Sequence, residues 1–476
     1  MIDWLKSIFN SSGAGSTHYQ SNAEEMKSRL DSVSPSMCLA KWQQVNIHLT
    51  TGRTQSCFHP PTHKIPAELL ASNPSVLHNT PFKKEERAQM KRGKRPKGCS
   101  YCWKVEDTVG AGLSDRFYRS SESWASEHFE KIEKMSADED VTPSHVEVNF
   151  NHACNFKCSY CSPHISSQWL KEIEEHGPYP TSNPHNDLNW VKQQGLMPIK
   201  QSEPNPYREA FWQWWPEMYP HLKHFRMTGG EPLMDINTYK VLEYVFENPK
   251  NDLTLEVTSN FCVEEPLFEK FIAKTHQIDS SSAVKHFGVY ASIDNWNEKS
   301  EYVRYGMNFE RFVSNVHRFL KETKNTSICF INTFNNLSVL GFNEMLEAIL
   351  YLRSQYSQKQ NRVRFNCPIL TFPDWQSLQT LPKSFWGKLE RDIEFMERNR
   401  ATRGSSNLGF RDFEINQIKR NYEIMRSPLP EEELKRRRAD FYKFFSEYDR
   451  RRNTDFTATF SNMKSFWDIC KEEAEQ

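Results

Sequence analysis

From His145 onward the chain alternates between two periods. His145-Val-Glu-Val-Asn-Phe150 places an apolar side chain at every second position, the signature of a half-buried strand. Five later stretches read as strands too: His224–Thr228, Leu253–Thr258, His286–Ile293, Ser327–Thr333 and Val363–Cys367. Helical stretches follow each of the six, around Ser166–Glu175, Ile236–Glu247, Pro266–Lys274, Asn308–Lys321, Gly341–Tyr356 and Ser384–Asn399. Six successive β/α units predict a parallel sheet curved into a partial barrel, with working residues at the C-terminal ends of its strands.

The flanks read differently. Residues 1–34 are polar and Ser-rich, the expected text of a loosely ordered lead-in, with Met1–Phe9 as either a small amphipathic docking helix or a frayed first helix. Residues 35–122 are irregular, contain Pro60-Pro61, and carry four cysteines where apolar bulk is short, which suggests a small metal-stapled module. One crossover, Ser162–Lys223, is long: Gly177–Pro206 is rich in Pro and Asn, and Phe211-Trp-Gln-Trp-Trp215 follows. Such a segment is either a lid or binding loop over a site, as Gly177–Trp215 would be, or a surface insertion packed by its own aromatics. Residues 376–476 are helical and charged, expected as outer helices. The fold class is therefore α/β: a partial (β/α)6 TIM-like barrel over residues 140–375, a small N-terminal cysteine-rich metal-cluster module over 35–122, and C-terminal helices.

Composition narrows the class. A chain of 476 residues exceeds one ordinary domain. Lys+Arg and Asp+Glu balance at 61 each, so no net field draws it to nucleic acid or acidic membranes. The mean hydropathy is −0.76, and no apolar run approaches the ~18 residues of a membrane span. No secretory signal is visible at the start, so the eleven cysteines point to metal ligands or free thiols in a cytoplasmic protein.

Cys154, Cys158 and Cys161 fall in Asn151-His-Ala-Cys-Asn-Phe-Lys-Cys-Ser-Tyr-Cys-Ser162, directly after the first strand. The C-x3-C-x2-C spacing lets one short loop hold three corners of a four-iron cluster, leaving one iron open to a small molecule. Zinc is the rival occupant, with His152 or His164 completing its four ligands. The second strand ends in Met227-Thr-Gly-Gly-Glu-Pro-Leu233, where paired glycines admit close approach of a ligand and the proline fixes the exit.

Together these motifs resemble the radical SAM superfamily, over roughly His145 to Cys367. The resemblance implies that Cys154, Cys158 and Cys161 hold a 4Fe–4S cluster whose open iron chelates S-adenosylmethionine, and that Gly229, Gly230, Glu231 and Pro232 line the site of its amino group. Tyr160 would pack near the adenine. Ser259 and Asn260, closing the third strand, would lie near the same molecule. Val289-Tyr-Ala-Ser-Ile-Asp294 and Tyr302-Val-Arg-Tyr-Gly306 look like text of peptide-modifying relatives, which implies that Ser292 and Asp294 face the ribose or carboxylate and that Arg304 offers a carboxylate a forked contact. Cys38, Cys57, Cys99 and Cys102 look like the auxiliary-cluster modules called twitch or SPASM domains, although relatives usually carry that module after the barrel. They would ligate a second 4Fe–4S cluster; a structural zinc is the alternative.

The implied activity is reductive cleavage of S-adenosylmethionine and hydrogen abstraction from a substrate, expected to be a peptide or protein side chain, with an external electron donor of flavodoxin or ferredoxin type. Two alternatives stand beside it. An enzyme acting on tRNA or a nucleotide would use the basic run Lys83–Lys97 to grip phosphates; the plainer reading of that run is a solvated helix end. A non-catalytic iron–sulfur or zinc carrier would keep the metal without needing the Gly-Gly-Glu-Pro turn. Cys262, Cys329, Cys367 and Cys470 read as small buried hydrophobes, with Cys262 and Cys367 near enough to strand ends to face the site.

Overall fold

Eleven strands are present in the computed structural model, which describes residues 16–108, 112–200, 202–402 and 408–476. The expected Met1–Phe9 helix lies outside the described residues. The strands are β1 (Gln44–His48), β2 (Arg53–Gln55), β3 (His63–Lys64), β4 (His145–Asn149), β5 (Lys157–Cys158), β6 (His224–Thr228), β7 (Lys250–Ser259), β8 (Val284–Ser292), β9 (Arg304–Tyr305), β10 (Thr326–Ile331) and β11 (Val363–Asn366). Nine form one mostly parallel sheet in the order β11-β10-β8-β7-β6-β4-β1-β2-β3, and β5 pairs with β9. The protein is α/β. All six strands read from the alternation appear, as β4, β6, β7, β8, β10 and β11, and a helix follows each of them in sequence. Local chemistry sets several helix starts: the side chains of Ser166, Asp235 and Asn308 each accept a first-turn backbone N–H.

The chain divides into two units: Met1–Asn151 with Pro198–Val257 and Ser281–Phe287, and His152–Met197 with Thr258–Ser280 and Gly288–Gln476.

In the first unit, register aligns apolar rows across four parallel strands: Val45, Val146, Phe225 and Leu255, then Ile47, Val148, Met227 and Val257. All eight are essentially inaccessible to solvent. Helix Pro206–Met218, started by Asn205 and Pro206, lays Trp215 4.9 Å and Phe211 6.3 Å from the Phe225 ring. The Phe211–Trp215 part of the expected lid is thus sheet packing. Its five-residue aromatic run reads equally as a helix face, and burial decides between the two.

Two expectations for the N-terminal stretch change. Residues 16–33 form a helix, and Ala23, Met26 and Leu30 pack with Trp103 and Phe117. An apolar stripe that narrow is hidden in Ser-rich text. Residues 35–122, expected as a self-contained module, supply β1–β3 to the main sheet: β1 pairs in parallel with β4, Gln44 opposite His145. Apolar Val45 and Ile47 on β1 find their partners about a hundred residues downstream, a distance that composition does not report.

In the second unit, β10 pairs in parallel with β11, Phe330 opposite Phe365. The C-terminal helices are not a charged cover. Helix Glu431–Arg452 buries Phe441, Phe444, Phe445 and Tyr448, Tyr448 donates to the Tyr302 carbonyl at 2.7 Å, and Arg452 lies 2.9 Å from Glu172 on helix Ser167–His176. No helix among the described residues is long and apolar enough to cross a membrane.

Candidate metal centres

The three-cysteine loop belongs to the second unit and is fixed at nearly every residue. β5 puts Cys158 opposite Arg304 on β9. Ser159 N–H donates to the Val303 carbonyl at 2.8 Å, and Cys161 N–H to the Cys158 carbonyl at 2.9 Å, closing a tight turn. Trp169 Nε1 donates to the Cys158 carbonyl at 2.9 Å, and Ser166 Oγ to the Phe156 carbonyl at 2.8 Å. His185, from the middle of the long crossover, donates through Nε2 to the carbonyls of Tyr160 and Cys161 at 3.1 and 3.2 Å. Burial holds His185 neutral, with its pKa lowered to about 4. This part of the expected lid braces the loop.

Phe156 N–H donates to Cys154 Sγ at 3.4 Å, a contact that favours a thiolate. Against it, burial pushes the Cys158 thiol up to about 11 and the Cys161 thiol well above its ordinary value, and Cys154 and Cys158 reinforce the shift at Cys161. Charge on Cys154 and Cys158 opposes ionisation of Cys161, a conflict that a cation core in the protons' place would relieve. His164 Nδ1 is engaged by Ser162 Oγ at 2.6 Å, and His152 is buried with its pKa lowered. Among the described residues no group of three or more His, Cys, Asp or Glu side chains is one that could hold a metal ion. The sulfur-only donors and their burial fit an iron–sulfur cluster.

Beside this loop the structure ties Asp294, Arg304 and Tyr160 to one another. Arg304 Nε is 2.8 Å from Asp294 Oδ2, Nη2 donates to the Tyr160 hydroxyl at 2.6 Å, and that hydroxyl donates to Asp294 Oδ2 at 2.7 Å. Arg304 Nη1 points at Cys158 Sγ, 3.5 Å away, and Thr333 N–H donates to Asp294 Oδ1 at 2.8 Å. Burial opposes the charge on Arg304, but Asp294, Tyr160 and Cys158 outweigh it and keep the guanidinium ionised. The fork expected for an incoming carboxylate is therefore already engaged, and Asp294 is its counterion. Ser292 ends β8. Ser259 Oγ accepts from Phe261 N–H at 2.9 Å, and Asn260 Nδ2 donates to Asn155 Oδ1 at 2.7 Å, joining the end of β7 to the cysteine loop. Sequence reasoning missed Asn155, Trp169, His185 and Thr333; only the placement of Asn155 between Cys154 and Cys158 signalled it. Cys262, Cys329, Cys367 and Cys470 are buried.

The Gly-Gly-Glu-Pro turn lies in the first unit. Gly229 has φ +138°, and a Cβ there would sit 2.7 Å from the Asn151 carbonyl and 2.8 Å from Asn149 Oδ1. Only glycine fits. Gly230 N–H donates to the Asn151 carbonyl at 3.2 Å. Glu231 is fully buried, and its Oε1 accepts from Leu233 N–H at 3.0 Å as Pro232 opens a short helical turn. The turn is thus fastened to residues 149–151, which lead in sequence into the cysteine run.

Cys38, Cys57, Cys99 and Cys102, also in the first unit, line a single recess with Lys41 and Arg116. Burial pushes Cys57 up to about 12 and raises Cys99 and Cys102, and Cys38 adds to all three shifts. Four sulfurs around one volume fit a cluster as donors. The first half of the basic run between them turns inward, while Arg92, Lys94, Arg95 and Lys97 are exposed, as expected of a solvated helix end and loop. Lys83 and Arg87 are fully buried, with Arg87 donating to Asn79 Oδ1 at 2.9 Å and Lys83 in reach of Thr54 Oγ1 at 3.3 Å. Lys91 caps carbonyls, that of Ile132 at 2.7 Å, so neither the solvated helix end nor the phosphate grip describes these three side chains.

No protein-family model matches the sequence, and no curated protein matches it.

Proposed function

We propose that this chain is a radical S-adenosylmethionine enzyme of the cytoplasm whose sheet is a partial barrel and whose substrate is a peptide or protein side chain. One observation carries the proposal above the others: the C-x3-C-x2-C loop follows β4 with Cys154 and Cys158 buried, Cys161 half-buried and its backbone fixed by hydrogen bonds. Cys154, Cys158 and Cys161 would hold a 4Fe–4S cluster, and Cys38, Cys57, Cys99 and Cys102 a second one. When bound and reduced, the first cluster with S-adenosylmethionine supplies a 5′-deoxyadenosyl radical that abstracts hydrogen from an unreactive C–H bond.

The chain's own residues orient and exclude. Trp169 and His185 hold the carbonyls of the loop, so the sulfurs keep their directions while the thiols lose protons. Arg304 offsets negative charge at Cys158, and Asp294 keeps that guanidinium charged and aimed. Gly229 lets the turn pack against Asn149 and the Asn151 carbonyl, where a side chain would collide, and so fixes the Gly-Gly-Glu-Pro backbone. Glu231 offers a carboxylate shielded from water, the group an ammonium seeks. A role on tRNA finds less support, because Lys83, Arg87 and Lys91 are spent inside the protein and the exposed Arg92 and Arg95 are engaged by Glu85 and Asp107.

Binding tests the proposal. Anaerobically reconstituted wild type should hold iron and sulfide and bind S-adenosylmethionine, and the Cys154→Ala/Cys158→Ala/Cys161→Ala variant should lose both the binding and about half the iron. Equal binding by both proteins would refute it.

A further inference from the structure

We propose that Lys41 is the charge partner of a redox-active cluster at Cys38, Cys57, Cys99 and Cys102, and sets how readily that cluster accepts an electron; this rests on the cluster reading of the four-cysteine recess and deepens it. Lys41 lies on the short helix Ala40–Gln43, soon after Cys38, with its side chain 2% exposed. Its Nζ is 2.7 Å from Glu86 Oε2. Lys41 lines the recess, and Glu86 does not. It acts electrostatically on Cys99 and Cys57. Lys41 thus shares the wall of the recess with the four cysteines, and Glu86 is its counterion.

Burying an ammonium is costly, and one carboxylate seldom offsets that alone. Here the burden is heavier. The inward face of helix Pro81–Lys91 also buries Lys83 and Arg87, and Lys41 and Arg87 act on Lys83 as like charges. Arg116, on the wall of the recess, is matched by Glu106 at 2.6 Å. Lys41 and Arg116 on the recess wall are each matched by one carboxylate, Asp115 also lines the recess, and thiolates would bring Lys41 further counter-charge. A cluster on four thiolates is net negative and gains one further negative charge on reduction. A fixed ammonium against the sulfurs favours the reduced state over the oxidised one, because it interacts with the larger charge. Zinc has no second oxidation state for Lys41 to select.

The test uses the full chain with Cys154, Cys158 and Cys161 replaced by Ala, so that only the N-terminal site is loaded. Iron, sulfide and zinc are measured, and cluster reduction is followed by EPR at controlled potentials. Iron and sulfide are expected in that background. Lys41→Met should lower the reduced-to-oxidised ratio at a fixed potential about tenfold, which is about 59 mV for one electron, and Lys41→Arg should restore most of it. Glu86→Gln, which keeps the ammonium and removes its counterion, should shift the ratio the other way and serves if Lys41→Met does not fold. Zinc without iron would overturn the cluster reading of this site and the inference with it. A cluster whose potential does not move in Lys41→Met, or moves the same way in Glu86→Gln, would overturn the role of Lys41 alone.

Discussion

Replacing Arg304 by Met should cost the protein about 3 kcal/mol of stability before any cofactor is considered. The side chain is 6% exposed and its partner Asp294 1% exposed, so truncation leaves a carboxylate in a site that water does not reach. Breaking a buried pair in this way costs about 3–5 kcal/mol. The lower end applies, because the Tyr160 hydroxyl and the Thr333 N–H still donate to Asp294. Asp294→Asn should cost a similar amount by stranding the guanidinium, and the double variant should cost less than the sum by about 1–3 kcal/mol. Arg304→Lys keeps the charge without the fork and should fall between wild type and Arg304→Met. Urea denaturation of the iron-free protein, followed by tryptophan fluorescence, measures all four. A loss under about 1 kcal/mol for Arg304→Met, or strict additivity in the double variant, would refute a buried clamp beside Cys158.

Other changes have equally definite outcomes. Gly229→Ala forces a side chain to within 2.8 Å of two oxygens in a left-handed backbone; it should abolish S-adenosylmethionine binding at unchanged iron content, checked by equilibrium binding and iron analysis. His185 has a folded pKa lowered from 6.5 to about 4 by burial, so its contribution to stability is present above pH 6.5 and lost as pH falls through 4. Thermal melts across that window should show wild type losing stability more steeply than His185→Gln, which cannot titrate. Trp215→Ala should cost about 3–5 kcal/mol by opening a cavity over Phe225, measured by urea denaturation, with no change in nucleic-acid affinity.

Local pattern reported local facts well. The period-2 text at His145–Phe150 and His224–Thr228 became β4 and β6, and the Gly-Gly of the second strand end marks a position where φ +138° excludes other residues. What escaped was long-range. Val45 and Ile47 alternate as a strand should, but their pairing with Val146 and Val148 spans about a hundred residues of irregular text. Charge was misread for a related reason. Lys83 and Arg87 are four apart on one helix face, a spacing that suits solvent as well as a buried lining, and only His78, Asn79 and the Lys41 carbonyl on other segments decide it. Arg304 and Asp294 each carried a ligand-binding expectation that their mutual contact redirects.

Formation of 5′-deoxyadenosine is the most direct measurement. Anaerobically reconstituted protein, reduced in the presence of S-adenosylmethionine, should produce it, and the Cys154→Ala/Cys158→Ala/Cys161→Ala variant should not. A wild-type protein with a full complement of iron and sulfide that neither forms 5′-deoxyadenosine nor binds S-adenosylmethionine would contradict the enzyme assignment and leave an iron–sulfur carrier in its place.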